Sequence, residues 1–64
     1  MDYKSRLVIE FKQIVEKREV LERTLNSDEP KSFDEEIVKL LREQLEAMMK
    51  YEEILFIRIV KEMK

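Results

Sequence analysis

Residues 32–64 read SFDEEIVKLLREQLEAMMKYEEILFIRIVKEMK, and this stretch decides the fold. It contains no glycine and no proline, so nothing forces a break. Ser32 and Glu35 have the capping-box spacing, in which the hydroxyl accepts from a free backbone N–H and the carboxylate reaches back. Asp34, Glu35 and Glu36 crowd the first turn and Lys61 and Lys64 the last, as the helix dipole favours. About thirty residues at about 1.5 Å each make a rod of roughly 45 Å. Ile37, Leu41, Met48 and Leu55 form one stripe, completed by Gln44 and Tyr51. Val38, Leu45, Met49, Phe56, Val60 and Met63 form a second stripe beside it. A helix with so wide an apolar face needs partners on more than one side.

Working back toward the start, Asn26 to Lys31 is a break. Asn26 tolerates the left-handed conformation that ends helices, and Pro30 cannot continue one. Before it lies a first helix, with Asp2 as its cap. Leu7, Phe11, Ile14, Leu21 and Leu25 keep a heptad-like spacing, with Val8 and Val15 alongside. Glu10, Lys12, Glu16, Lys17, Glu19, Glu22 and Arg23 read as a solvated face, with Glu19 and Arg23 at the favourable i,i+4 spacing. A connection this short makes the helices antiparallel. The expected fold is therefore all-α, a single domain over 1–64: an antiparallel two-helix hairpin (about 2–26 and 32–64) assembling into an oligomeric helical bundle.

Arg18 interrupts the first seam. In a hairpin folded about residues 29–30 it lies opposite Leu41 to Gln44. Two readings follow: a polar layer with Gln44 that fixes register, or a guanidinium whose stem lies along the seam while its head reaches water. The second helix is the longer, so its final turns are expected to overhang the start of the first. Those turns carry Ile54, Leu55, Phe56, Ile57, Ile59, Val60 and Met63, the candidate oligomer interface.

Size and composition make self-association the natural route to stability. The chain has 64 residues, and a domain this small buries too little surface to be robust alone. It has no cysteine and no histidine, so disulfides and the commonest zinc ligands are missing. No metal site and no cofactor is expected. Charged and apolar residues each make up 44%, the mix of long helices rather than of disorder. The start, Met1-Asp2-Tyr3-Lys4, leads into a charged helix and does not read as a signal peptide. The run Ile54 to Ile57 is far too short to span a membrane. A cytoplasmic location follows by default.

Catalytic chemistry finds little to work with. Nucleophilic catalysis needs an activated Ser, Cys or Thr beside a base, and only Ser5, Ser27, Ser32 and Thr24 stand in a chain without histidine. The carboxylate pairs Glu35-Glu36, Glu43-Glu46 and Glu52-Glu53 read as solvated helix faces rather than a converging acid and base. Net charge is −2 with acids and bases interleaved, so no basic face exists for a nucleic acid polymer. The chain reads as a non-enzyme.

One charge asymmetry survives. At the open end of the hairpin, residues 1–6 and 57–64 carry five cations against two carboxylates, or +3. At the turn end, residues 26–36 carry Lys31 against five carboxylates, or −4. Tyr3 is expected near Phe56, with Tyr51 about one and a half turns earlier. Cations, aromatic faces and exposed apolar surface thus share one end. Arg bridges phosphates bidentately, and an aromatic ring stacks on a base. The candidate ligand-binding residues are Tyr3, Arg6, Arg18, Gln44, Tyr51, Arg58 and Lys61, around a small phosphorylated nucleotide held between subunits. The plainer reading of the same residues is dipole complementation by the lysines and core packing by the rings. Met48, Met49 and Met63 read first as adaptable core.

The order Leu40-Leu41-Arg42, Gln44-Leu45, Ala47-Met48, Tyr51, Ile54-Leu55 and Arg58 resembles a family of very short proteins of Gram-positive phages and prophages. The opening, Tyr3-Lys4 through Leu7, is similar too. The resemblance implies a helical hairpin of phage origin, placed in the cytoplasm of an infected bacterium, and it supplies no catalytic residue. Phage proteins of this size outside the virion often act against host defence. One class comprises helical-hairpin sponges that oligomerise and sequester nucleotide immune signals. Fold analogy alone does not give function, so two functional expectations stand, with a purely structural oligomer as a third. One is an oligomeric sponge for a nucleotide-derived immune signal. The other is a helical inhibitor or adaptor that grips a host defence protein through the apolar face of the second helix, with Leu55, Phe56, Ile59 and Val60 as anchors.

Overall fold

The computed structural model describes residues 2–63, apart from the side chains of Glu29 and Pro30. Helix α1 runs Tyr3–Asn26 and helix α2 runs Glu35–Glu62, antiparallel and in contact along their length. A 3-10 turn, Glu29–Ser32, joins them and packs back on α1. The described residues contain no strand. The rod measures 45 × 17 × 15 Å. The all-α hairpin read from the pattern is the fold observed. Lys64, expected to complement the dipole of α2, lies outside the described residues.

The caps explain where the helices start and stop. Asp2 is the N-cap of α1, its carboxylate accepting from the Ser5 N–H at 2.7 Å. That hydrogen bond holds the Asp2 carboxyl below the usual aspartate range. Asp34, not Ser32, is the N-cap of α2, accepting from the Ile37 N–H at 2.9 Å. The Ser32–Glu35 capping box therefore does not form: Ser32 closes the 3-10 turn, and helical backbone begins only at Glu35. The end of α1 needs no left-handed residue either. No described residue has positive φ, Asn26 included. The Ser27 hydroxyl and N–H both donate to the Thr24 carbonyl, at 2.7 and 3.3 Å.

Arg18 bonds none of Leu41 to Gln44, and Gln44 shares a cleft with Lys17 instead. Arg18 meets Glu52, and its Nη1 also donates to Glu22 at 2.5 Å. Both sites flank the helix contact and are half-buried, so Glu52 is a seam residue rather than part of a solvated face. The i,i+4 pair that forms on α1 is Arg18–Glu22, not Glu19–Arg23.

The expected overhang is not found. Arg58 reaches Tyr3, and Met63 shares a cleft with Asp2, Ser5 and Val8, so the described end of α2 is level with the start of α1. The extra length of α2 is used at the turn end, where Thr24 already sits beside Gln44. Leu7, Leu21 and Leu55 are the buried core. Phe11, Ile14, Leu25, Val38, Leu41, Leu45, Met48 and Ile59 are half-buried around them. The line of α2 that faces α1 thus passes between the two stripes read from its sequence, and the outer part of each stripe stays wet.

Candidate functional site

One edge of the hairpin carries a ladder. Tyr3, Glu10, Lys17 and Thr24 recur every seven residues on α1, and Gln44, Tyr51 and Arg58 do the same on α2. Residues seven apart fall on one line of a helix pair. The rungs are consistent: Arg58 with Tyr3, Tyr51 with Glu10, and Gln44 with Lys17 in one cleft. In each rung the two residue numbers fall by seven on one helix as they rise by seven on the other. Antiparallel packing requires that counter-running step.

At the open end, Arg58 Nη2 donates to the Tyr3 hydroxyl at 2.6 Å. The guanidinium carbon lies 6.0 Å from the Tyr3 ring centroid, at the limit of a cation–π contact. The Tyr3 hydrogen bond keeps Arg58 above its usual pKa, so it is a permanent cation. The Tyr51 hydroxyl donates to Glu10 Oε2. Tyr51, Ile54, Leu55 and Arg58 enclose a cleft of about 220 Å³. Tyr51 also borders the next cleft, with Glu10, Gln13, Ile14 and Lys17, of about 290 Å³. Lys17 in turn borders a third, with Val20, Thr24 and Gln44, of about 520 Å³. Three shallow clefts therefore run down one edge and share Tyr51 and Lys17 as posts.

Four of the seven candidate ligand residues, Tyr3, Gln44, Tyr51 and Arg58, share that edge. Arg18 does not: with Phe11, Met49, Glu52 and Phe56 it lines a cleft of about 340 Å³ that includes no rung of the ladder. Its two carboxylate partners raise its pKa and take up two of its donors. Arg6 and Lys61 are exposed, and their side chains make none of the described hydrogen bonds or ion pairs. Tyr3 meets Arg58, whereas Phe56 stacks at a tilt on Phe11, with ring centroids 6.2 Å apart. Glu10 and Lys17 are the ladder residues that sequence reasoning left on a solvated face. Their seven-residue interval from Tyr3 was the signal that would have moved them to the edge.

The residues read as an oligomer face are divided by the fold. Leu55 is buried against α1 and Ile59 is half-buried, while Ile54, Phe56, Ile57, Val60 and Met63 remain exposed. Among the described residues no group of three or more carboxylates gathers to hold a metal ion. No helix among them is long and apolar enough to cross a membrane.

A thin helical hairpin with a permanent cation among aromatic rings has the makings of a small binding protein. The chain belongs to the Sequestin family, whose model matches residues 1–61. That name is consistent with a sequestering role, and with binding rather than catalysis. Neither a curated protein nor a solved structure matches the chain.

Proposed function

We propose that this protein is a non-enzymatic phage or prophage anti-defence factor, an oligomeric sponge that sequesters a nucleotide-derived immune signal in the cytoplasm of the infected host. The observation that carries the proposal is the Arg58–Tyr3 rung beside Tyr51. A phosphate gains a bidentate, permanently charged donor in Arg58, and a base gains an aromatic face in Tyr51. Gln44 further along the same edge offers both a donor and an acceptor to polar edges of the ligand. Arg6 and Lys61 add unpaired positive charge to the same end. Membership in a family named for sequestering supports this reading over a catalytic one. A sponge needs no turnover; it needs affinity and abundance.

Calorimetry and thermal shift against a panel of cyclic dinucleotides and ADP-ribose derivatives test the proposal. A ligand that binds the folded chain raises the melting temperature by mass action. Arg58→Glu abolishes the shift while leaving the helical circular-dichroism signal intact. A panel without any shift overturns the nucleotide reading, and a shift that survives Arg58→Glu removes Arg58 from the site.

A second reading rests on the opposite edge, where Phe56, Val60 and Met63 are exposed in succession. Such a stripe suits helix-in-groove recognition of a host defence protein. Leu55 and Ile59 are not available as anchors in that role, because the hairpin uses them internally.

A further inference from the structure

Helix α2 carries a second heptad seam that α1 does not cover. Ile37, Leu40, Gln44, Ala47, Tyr51 and Ile54 follow the alternating three-and-four spacing of coiled-coil contact positions, and Arg58 continues it. Every one of them is exposed, Leu40 to 52%. The seam lies one residue to the side of the internal seam formed by Leu41, Leu45, Met48, Glu52 and Leu55. A helix with two adjacent contact lines is built to touch two neighbours.

We propose that the second neighbour is α2 of another copy of this chain, antiparallel, about an axis level with Leu45 and Glu46. The inference takes up the oligomer of the proposed function and names its seam. Three observations select the occupant. First, area: the accessible surface is 5217 Å² for a 7.9 kDa chain. A compact monomer of that mass exposes about 4,400 Å². The surplus of about 800 Å² equals one side of a standard interface. Second, layers: the axis sets Ile37 against the partner's Ile54, Leu40 against the partner's Tyr51, and Gln44 against the partner's Ala47. Large side chains thus meet one another at both ends, and the small alanine lies at the centre, where the helices come closest.

Third, charge: on the outer flank the same axis sets Glu43 beside the partner's Lys50, twice by symmetry. It also lays the acidic turn end of each copy along the basic open end of the other. A parallel pair would instead put Arg58 on the partner's Arg58 and Glu43 level with the partner's Glu43, which like charges disfavour. Gln44, Tyr51 and Arg58 belong to both the ladder and the seam. The open-end cleft is therefore walled on one side by the partner's α2, and each site is complete only in the pair.

Sedimentation equilibrium of the full chain without nucleotide, over roughly 1–100 µM, tests the seam. Wild type is expected to dimerise within that range. Leu40→Glu raises the dissociation constant by about tenfold or more, because a charge is then desolvated in the layer it shares with the partner's Tyr51. Glu43→Lys and Lys50→Glu each weaken the pair by about fivefold, and the double exchange restores it to within about twofold. Both charge sites are solvent-exposed; Lys50 also pairs with Glu53 at 3.6 Å within α2, so the circular-dichroism signal of each single variant is recorded beside its dissociation constant, and the exchange stays informative even if Leu40→Glu misfolds. A monomer throughout the range, a double exchange no better than the single changes, or a dimer broken by Phe56→Asp but not by Leu40→Glu overturns the seam. A monomer that still binds a nucleotide sinks the seam alone. A dimer that obeys the charge exchange yet binds nothing in the panel sinks the nucleotide reading alone.

Discussion

Leu55→Ala is the substitution that most directly weighs the hairpin's core. Leu55 is 2% exposed and is the largest fully buried side chain among the described residues. Moving a leucine side chain out of water contributes about 1.5–3 kcal/mol, and the cavity left by alanine brings the expected loss to about 3 kcal/mol. Domains hold about 0.05–0.15 kcal/mol per residue, so 64 residues hold roughly 3–10 kcal/mol in all. With Leu7 and Leu21 as the other buried side chains, the hairpin belongs near the lower end. The substitution should therefore remove most of the stability and lower the melting temperature by roughly 15–20 °C. Circular dichroism at 222 nm reads it, at one fixed dilute concentration because association adds stability by mass action. Met49→Ala, on the same helix, 52% exposed and outside the proposed seam, is the control and should cost less than about 1 kcal/mol there. A Leu55→Ala shift below about 5 °C, or equal losses for the two variants, would refute this assignment of the core.

Three further outcomes follow from named contacts. Arg18→Leu strands the Glu52 and Glu22 carboxylates at a half-buried seam and lowers the melting temperature. Arg18→Leu with Glu52→Leu recovers much of that loss, since an apolar pair needs no charge compensation; a double variant less stable than the single would contradict it. The Asp2 carboxyl has a lowered pKa in the folded chain, so its capping contribution is present above the ordinary aspartate value and is lost as pH falls through the lowered one. Wild type should then lose more helicity than Asp2→Asn on acidification below about pH 4, and coincident titration curves would rule this out. Tyr3→Phe removes the hydrogen bond that occupies Arg58 while keeping the ring. If Arg58 holds phosphate, nucleotide affinity should fall far less than in Arg58→Glu, which calorimetry compares directly.

The hairpin itself was legible in the sequence, because apolar spacing and a proline-bearing break are local signals. The edge each residue takes was not. A 3-10 turn intervened and Asp34, not Ser32, capped α2; Arg18 reaches Glu52 on one edge, while Gln44 falls beside Lys17 and Arg58 beside Tyr3 on the other. The overhang expected from helix lengths is absent because the extra length of α2 lies at the turn end. Tyr3, Tyr51, Gln44 and Arg58 were found as residue types suited to a ligand, but their common edge follows only once register is known. Glu10 and Lys17 were missed because a charged residue at a flanking position looks like any other solvated charge until its heptad interval is compared with Tyr3.

A core of three leucines also sets how long a solitary molecule survives. With so little surface withdrawn from water, the empty, unpaired chain opens often, and a protease meets it in proportion to the time spent open. Occupied or paired molecules open less, so turnover in a cell would favour the copies that hold something. Proteolysis with and without saturating ligand would register this as a difference in lifetime, and equal lifetimes would mean that the hairpin guards itself.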